Sequence, residues 1–123
     1  MSGAAFALPL LNLPQAWAVL ALAIVFEVAG TTCMRLSEGF SRPLPSVLIF
    51  VFYALSFSLN TMVVRVLGLS VTYAVWSGVG TLLTGLIGWL WFKEPATALK
   101  FASAGLIVLG VVGLHAASRA EAG

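Results

Sequence analysis

The charged residues of this chain separate four long uncharged stretches, and this spacing limits what the chain can fold into. Residues 1–26 contain no Asp, Glu, Lys or Arg, and neither do the intervals 43–64, 66–92 and 101–118. Each of the last three intervals is close to the ~20 apolar residues that a helix needs to cross a bilayer. Apolar and polar residues do not alternate along them, which excludes a β-barrel. The pattern predicts an all-α integral membrane protein with four transmembrane helices.

The composition agrees with this class, because 61% of the 123 residues are hydrophobic and only 8% are charged. An average soluble domain has roughly 25% charged residues. We predict one transmembrane domain, residues 17–118, with helices near 17–34, 45–65, 69–92 and 98–117. Pro9 and Pro14 interrupt the apolar run before it, so residues 1–16 are interpreted as a short N-terminal arm rather than a signal peptide. Residues 119–123 are expected to form a C-terminal tail.

Several classes of function are excluded by the residues that the chain has. Its single cysteine, Cys33, cannot form an intrachain disulfide or a cysteine-based metal cluster. The sequence has no nucleotide-binding or zinc-binding motif, and its net charge of +2 is scattered over loops, so we expect no metal and no nucleic acid partner. No pair of nucleophile and base is evident either, so we do not expect an enzyme.

Glu27 is the first candidate for a functional residue. It is a carboxylate well inside an apolar stretch, where an ionisable group costs ~2.5–3.5 kcal/mol on insertion scales and is rare unless it has a task. On a helix it shares its face with small, apolar or mildly polar residues. These residues are Leu20, Ile24, Gly30, Thr31 and Met34. The face leaves room for a ligand to approach the carboxylate.

Two later helices carry aromatic and polar stripes at helical spacing. The stripe on the second is Tyr53, Ser56, Phe57 and Asn60, and that on the third is Tyr73, Trp76, Ser77, Gly80 and Thr84. Trp76 lies too far from a helix end to belong to an interfacial aromatic belt. Aromatic faces beside a buried carboxylate suit organic cations. Core packing is the alternative interpretation, and the presence of Glu27 favours a ligand site.

The fourth helix carries a stripe of mostly small residues that is typical of a helix-pairing surface. Its members are Leu106, Gly110, Gly113 and Ala117. Four short helices cannot enclose a drug-sized cation and also provide two gates, so an oligomer is implied. Two antiparallel copies would supply the inverted symmetry that larger transporters encode as internal repeats.

Three segments of the chain resemble the small multidrug resistance family of proton-coupled exporters. They are Phe-Glu-Val-Ala-Gly-Thr-Thr-Cys-Met-Arg-Leu-Ser-Glu-Gly-Phe (26–40), Tyr-Ala-Val-Trp-Ser-Gly-Val-Gly (73–80) and Phe-Lys-Glu-Pro (92–95). The resemblance covers residues 17–118. It implies that Glu27 binds either protons or the cationic substrate, and that Gly110 lies in a dimer-forming stripe. Together with the face of Glu27, it gives as predicted substrate-binding residues Ile24, Gly30, Thr31, Tyr53, Phe57, Tyr73, Trp76 and Ser77.

The resemblance implies a proton-coupled antiporter of the cell inner (plasma) membrane that exports small organic cations. Quaternary ammonium compounds and lipophilic cationic drugs are the expected cargo, and the proton gradient drives transport without a cofactor. Two Glu27 carboxylates would face one cavity, where desolvation and like charge favour the neutral form. Protons and cation would then compete for the same two acids.

The branch of the family is left open by the motifs. Gly30-Thr31-Thr32 resembles the drug-exporting type, whereas Leu-Ser-Val-Thr-Tyr-Ala (69–74) and the N-terminal arm look more like the paired, polyamine-exporting type. Phe-Lys-Glu-Pro (92–95) resembles guanidinium exporters. The working unit is accordingly either a homodimer or a heterodimer with a paralogous subunit. A structural membrane subunit, in which Glu27 only holds helices together, is the competing hypothesis.

The basic residues give only a weak signal for orientation. One side carries Arg35, Arg42, Lys93 and Lys100, and the other carries Arg65 and Arg119. This difference is small under the positive-inside rule. It is compatible with dual insertion of one gene product and with a single orientation beside a separate partner.

Overall fold

The computed structural model describes residues 8–122, which form four α-helices joined by short connections. The helices are α1 (Leu13–Leu36), α2 (Pro43–Leu67), α3 (Leu69–Leu90) and α4 (Ala98–Ala122). All four are long and apolar enough to cross a membrane. The predicted all-α, multi-pass membrane architecture is confirmed. The antiparallel dimer stays a prediction.

The first helix begins at Leu13 rather than near Trp17. The Asn12 side chain accepts a hydrogen bond from the Gln15 backbone N–H (2.9 Å), and the Gln15 side chain accepts one from the Asn12 N–H (3.0 Å). This reciprocal cap satisfies two N–H groups that a helix start leaves unpaired. Pro14 fits the first turn because no N–H is needed there. The last residues assigned to the N-terminal arm are therefore helical, and residues 1–7 lie outside the described range.

A six-residue turn, 37–42, folds α2 back against α1. Glu38, Gly39 and Phe40 adopt left-handed backbone angles, with φ of 48°, 70° and 66°. The buried Ser37 hydroxyl donates to the Met34 carbonyl (2.9 Å) and accepts from the Phe40 N–H (3.3 Å). α2 then starts directly at Pro43, which lies in its first turn. The tight turn makes α1 and α2 antiparallel neighbours.

The core lies where α1 meets α2 and α3. Its buried side chains are Leu20, Ile24, Val28 and Val63. Across the α1–α2 contact, the buried Ser56 hydroxyl donates to the Ala23 carbonyl (2.7 Å). At the end of α2, Arg65 donates to the Leu8 carbonyl (2.6 Å), which ties the described part of the arm to the bundle.

α4 is the outer helix of the described bundle. It packs on α3, and its hydrophobic span is 0% buried inside the protein. Gly78 permits this contact, since a Cβ there would lie 2.7 Å from Val111 Cγ2. Trp17 of α1 also meets His115 of α4, edge to face, with ring centroids 5.4 Å apart. α4 continues to Ala122 beyond the predicted end near residue 117, in a stretch rich in alanine, the best helix former.

Contacts at the other end join α1 to the connection after α3. The Arg35 guanidinium lies over the Phe92 ring, 5.1 Å from its centroid. Beyond Lys93, whose φ is 58°, the Glu94 N–H donates to the Gly88 carbonyl (2.9 Å), and the Glu94 side chain covers Gly88. α3 therefore ends at Leu90, slightly before the predicted residue 92.

Candidate functional site

Glu27 lies in the middle of α1, partly buried, and one of its oxygens accepts a hydrogen bond and has a second hydroxyl group nearby. The Thr31 hydroxyl, one turn further on, donates to Glu27 Oε1 (2.9 Å), and the Tyr53 hydroxyl of α2 lies 3.4 Å from the same oxygen. The two hydroxyl oxygens are 2.6 Å apart. Since Thr31 has one hydroxyl hydrogen and gives it to Glu27, Tyr53 is the donor in that short contact. A hydrogen-bonded chain thus runs from Tyr53 through Thr31 to Glu27.

Gly30 lets the Tyr53 ring approach α1 closely. A Cβ at Gly30 would be 2.9 Å from both Tyr53 Cδ2 and Cε2, closer than carbon atoms approach. Gly30 is itself buried. Gly30, predicted to bind substrate, therefore lies against the Tyr53 ring, where it positions the tyrosine.

The second oxygen of Glu27 points toward α3. Oε2 lies 3.1 Å from the position that a Cβ of Gly80 would occupy. Between the two helices is a recess of about 230 Å³, which we call the glutamate recess. It is lined by Glu27, Thr31, Tyr73, Trp76, Ser77, Gly80, Thr81 and Thr84. A carboxylate oxygen, two aromatic rings and small polar side chains therefore meet in one recess.

Four aromatic rings form a continuous wall across α2 and α3. Ring centroids are 5.6 Å apart for Tyr53 and Phe57, 5.8 Å for Phe57 and Trp76, and 5.5 Å for Tyr73 and Trp76. The two contacts of Trp76 are edge to face, the arrangement that aromatic pairs prefer. Phe57 and Tyr73 are 51% and 59% exposed. The wall is thus open on its outer side in the single chain.

A second recess of about 250 Å³ adjoins the first, and we call it the asparagine recess. Its lining residues are Phe57, Asn60, Thr61, Val64, Leu69, Thr72, Tyr73 and Trp76. Tyr73 and Trp76 line both recesses. The two spaces are therefore neighbours along α3 with the same aromatic side chains between them.

Other predicted residues occupy different places. Ile24 is 4% exposed and belongs to the core, where it lines neither of these recesses. Ser77 lines the glutamate recess while its hydroxyl donates to the Tyr73 carbonyl (2.7 Å). Gly110 and Gly113 lie on the open side of α4, with no atom within 4 Å of the position of a Cβ.

Two residues of this region were not among the predicted substrate-binding residues, although Gly80 belongs to the predicted stripe of the third helix. Gly80 faces Glu27 Oε2, and Thr72 is a buried residue beside the asparagine recess. The helical spacing of Thr72 from Trp76, one turn before it, is the signal that could have identified it. The burial of Thr72 results from tertiary packing, which the spacing along one helix does not specify.

The chain is similar in sequence to a known protein family and to several known proteins. A family profile described as "Small Multidrug Resistance protein" matches residues 15–107. An "Uncharacterized membrane protein YvaE" of Bacillus subtilis is 46% identical over 99 residues, which cover 80% of this chain and 83% of that protein. "Multidrug resistance protein EbrA" of Bacillus licheniformis is 42% identical, over 76% of this chain and 89% of its own length. "Quaternary ammonium compound-resistance protein QacE" of Escherichia coli is 38% identical, over 88% and 98% respectively.

Proposed function

The chain belongs to the small multidrug resistance family, and we propose that it exports small organic cations in exchange for protons, with Glu27 as the site that both share. Proteins of this family are transporters, so the chain is a multidrug efflux protein and not an enzyme. The observation that carries the proposal is the position of one carboxylate, in mid-helix, beside an aromatic wall.

The contacts of Glu27 support a shared site. Thr31 donates to Oε1 and is itself held by Tyr53, whereas Oε2 faces the glutamate recess at Gly80. A proton on Oε2 neutralises the group that a cation needs as its counter-charge. One carboxylate can therefore serve either ligand but not both, which is the competition that exchange requires. No covalent step is involved.

The aromatic wall supports a cationic cargo. Tyr73 and Trp76 line the recess that contains the carboxylate, and ring faces attract cations most strongly where water is excluded. The rings also present apolar surface, which suits the hydrocarbon parts of a quaternary ammonium ion. Names of relatives refer to multidrug resistance and to quaternary ammonium compounds. Lipophilic organic cations are therefore the cargo that we propose.

An antiparallel dimer completes the proposal. The glutamate recess measures about 230 Å³, below the ~300–1,000 Å³ of ordinary ligand pockets, and Phe57 and Tyr73 are half exposed beside it. A second, inverted copy would enlarge and cover such a site and would bring a second Glu27 to it. Gly110 and Gly113, on the open side of α4, would let two helices approach closely. Antiport follows if the empty, doubly ionised form is too costly to reorient.

Glu27→Gln in proteoliposomes tests this function. Gln keeps the size of the side chain and an oxygen that can accept from Thr31, but it cannot bind a proton or balance a cation. We expect membrane insertion to be retained and uptake of a quaternary ammonium ion, driven by a pH gradient, to be lost. The matched control is Glu38→Gln, at a carboxylate in the exposed turn before α2, which should transport normally.

The same pair of variants separates transport from a purely structural role of Glu27. If the carboxylate only held helices together, Gln would replace it and exchange would continue. Coupled uptake by the Glu27→Gln protein would therefore overturn the proposal. Exchange by the purified chain alone would establish the homodimer, and cargo uptake that requires a second, paralogous subunit would establish the paired alternative.

A further inference from the structure

A groove of about 720 Å³ lies between α3 and α4. The two helices touch at Gly78, where a Cβ would lie 2.7 Å from Val111 Cγ2, and again where the rings of Trp89 and Phe101 meet, with centroids 5.8 Å apart. Between these contacts the helices leave space, because no described atom lies within 4 Å of the position of a Cβ at Gly85. We call this space the α3–α4 groove. Its walls include Leu82, Gly85 and Trp89 on α3 and Phe101, Ala104 and Ile107 on α4.

Most residues along the α3–α4 groove are apolar, and the charged ones lie at one end. That end is formed by the connection after α3 and the start of α4, where Glu94 and Lys100 line the groove. Lys100 Nζ donates to the Pro95 carbonyl (2.6 Å), and the Glu94 side chain covers Gly88. A gap between packed helices forfeits dispersion contacts unless something fills it. A hydrocarbon chain is the filler that suits the apolar part of this groove.

The opposite end of the groove begins beside the glutamate recess. Thr81 lines both spaces, and it directly follows Gly80, whose Cβ position lies 3.1 Å from Glu27 Oε2. The Thr81 hydroxyl donates to the Ser77 carbonyl (2.7 Å), so its hydrogen needs no partner in either space. A molecule with its charged group at Glu27 can therefore pass over Thr81 into the groove.

The sizes of the two spaces indicate what kind of molecule would fill both. The glutamate recess holds only about 230 Å³, whereas the groove lies within the ~300–1,000 Å³ of ordinary ligand pockets. From Thr81 to Trp89 the groove follows α3 for about 12 Å at ~1.5 Å per residue. An extended hydrocarbon chain covers that distance with roughly ten carbon–carbon bonds. The recess and the groove together match a cation with a long apolar tail.

From this arrangement we infer that the α3–α4 groove is the subsite for the apolar tail of the cargo. The preferred cargo is then an amphiphilic cation with one straight alkyl chain of roughly ten carbons. The inference rests on the proposed function, because it places the charged head at Glu27. A lipid chain is the competing occupant, but its head belongs at the membrane surface, near Glu94 and Lys100. Only the cargo would fill the groove in a way that depends on Glu27.

Photolabelling of the full-length protein in lipid nanodiscs tests where the tail lies. The probe is decyltrimethylammonium with a diazirine at the end of its alkyl chain, and peptide mass spectrometry locates the label after irradiation. We expect label on the walls of the groove in α3 and α4. Excess ethyltrimethylammonium, which has the same head and almost no tail, should reduce this label several-fold because it displaces the head of the probe from Glu27.

Gly85→Leu is the deciding variant, because its side chain would enter the groove from a position with no described atom within 4 Å of the Cβ. It should reduce the labelling of the groove several-fold, while calorimetric titration with ethyltrimethylammonium gives the wild-type affinity. Gly105→Leu is the matched control: Gly105 is equally open, but it does not line the groove. That variant should keep the label.

The other outcomes distinguish the two levels of the argument. Groove label that excess ethyltrimethylammonium does not reduce would mean that the tail enters like a lipid chain, independently of Glu27. That result, label only outside the groove, or equal labelling of the two leucine variants would overturn the subsite while the proposed function stands. Titration that detects no saturable binding of either ion would overturn the proposed cation site itself, and the subsite with it.

Discussion

Trp76 is the side chain at which the aromatic wall and both recesses meet. Its ring contacts Phe57 on α2 and Tyr73 on its own helix, and it lies between Glu27 and Asn60. Because Trp76 belongs to the aromatic wall and lines both recesses, its ring could serve either packing or ligand binding. The two roles differ in what happens when the ring is removed.

Trp76→Ala should weaken the binding of a short-chain quaternary ammonium ion by about 1–2 kcal/mol, because a desolvated cation–π contact is lost. Isothermal titration of the protein in nanodiscs measures this loss. Trp89→Ala is the control, since Trp89 is an exposed tryptophan near the end of α3 that packs on Phe101 and lines neither recess. Unchanged affinity in the Trp76 variant would show that the wall serves only packing.

Gly30→Ala should weaken cation binding although no ligand touches the added methyl group. The new Cβ would meet the Tyr53 ring at 2.9 Å, so the ring must move and its hydroxyl leaves Thr31 and Glu27. Such overpacking typically costs ~1–3 kcal/mol, and we expect several-fold weaker binding by titration. Gly85→Ala provides the comparison, because no atom lies within 4 Å of that Cβ position. Equal behaviour of the two variants would contradict a positioning role for Gly30.

At the scale of the helices, the sequence predicted that the four helices exist better than it predicted their first and last residues. Uncharged stretches of membrane length require a helix whatever surrounds them, so all four helices could be placed. The ends depend on local hydrogen bonds. Pro14 suggested an interruption, yet with Asn12 and Gln15 forming a cap it belongs to the first turn of α1. At the other end of the chain, no breaker follows Gly113, and α4 continues to Ala122.

Candidate site residues could be predicted from the sequence where a residue type is unusual for its position in a membrane helix. Glu27 and Trp76 are unusual at their depth in a membrane helix, and the structure brings them to one recess. Ile24 was chosen only because it shares a helical face with Glu27, and that face is wide enough to reach the core as well. The burial of Asn60 and Thr72 results from the packing of α2 against α3, which spacing along one helix does not specify.

The α3–α4 contact depends on one glycine, and Gly78→Ala should loosen it. The added Cβ would lie 2.7 Å from Val111 and 3.2 Å from Ile107, so the two helices must separate. We expect about 1–3 kcal/mol of destabilisation, measured by reversible unfolding in mixed micelles. Gly105→Ala on α4 adds the same methyl group in open space and should be nearly neutral. If Gly78→Ala did not change the stability, the packing of α4 would not depend on the contact at Gly78.

For the molecule as a whole, the open side of α4 is the surface that we propose for pairing. Gly110 and Gly113 lie there with no neighbouring atom, and Leu106 beside them is 69% exposed. Lipid could cover an apolar face equally well. A stripe with two glycines offers in addition a close approach of backbones, which stabilises helix pairs in membranes.

Gly110→Leu should therefore separate the two copies and abolish transport while leaving Glu27 in place. Cross-linking in the membrane reports the dimer, and proteoliposome uptake reports transport. Gly105→Leu is the matched control: Gly105 is also open, but it lies about 140° away around α4. We expect that variant to remain dimeric and active. A Gly110 variant that still forms an active dimer would exclude this face as the interface.

The unequal surroundings of the two Glu27 oxygens give the carboxylate a spectroscopic signature. Oε1 accepts from Thr31 and lies near the Tyr53 hydroxyl, whereas Oε2 faces Gly80. One-sided hydrogen bonding makes the two C–O bonds unequal and so separates their stretching vibrations. A proton on Oε2 would convert the group into a carboxylic acid with a carbonyl band, whereas a bound cation would leave a carboxylate. If Glu27 is the shared site that we propose, infrared difference spectra will show from this single side chain whether a proton or a cation is bound.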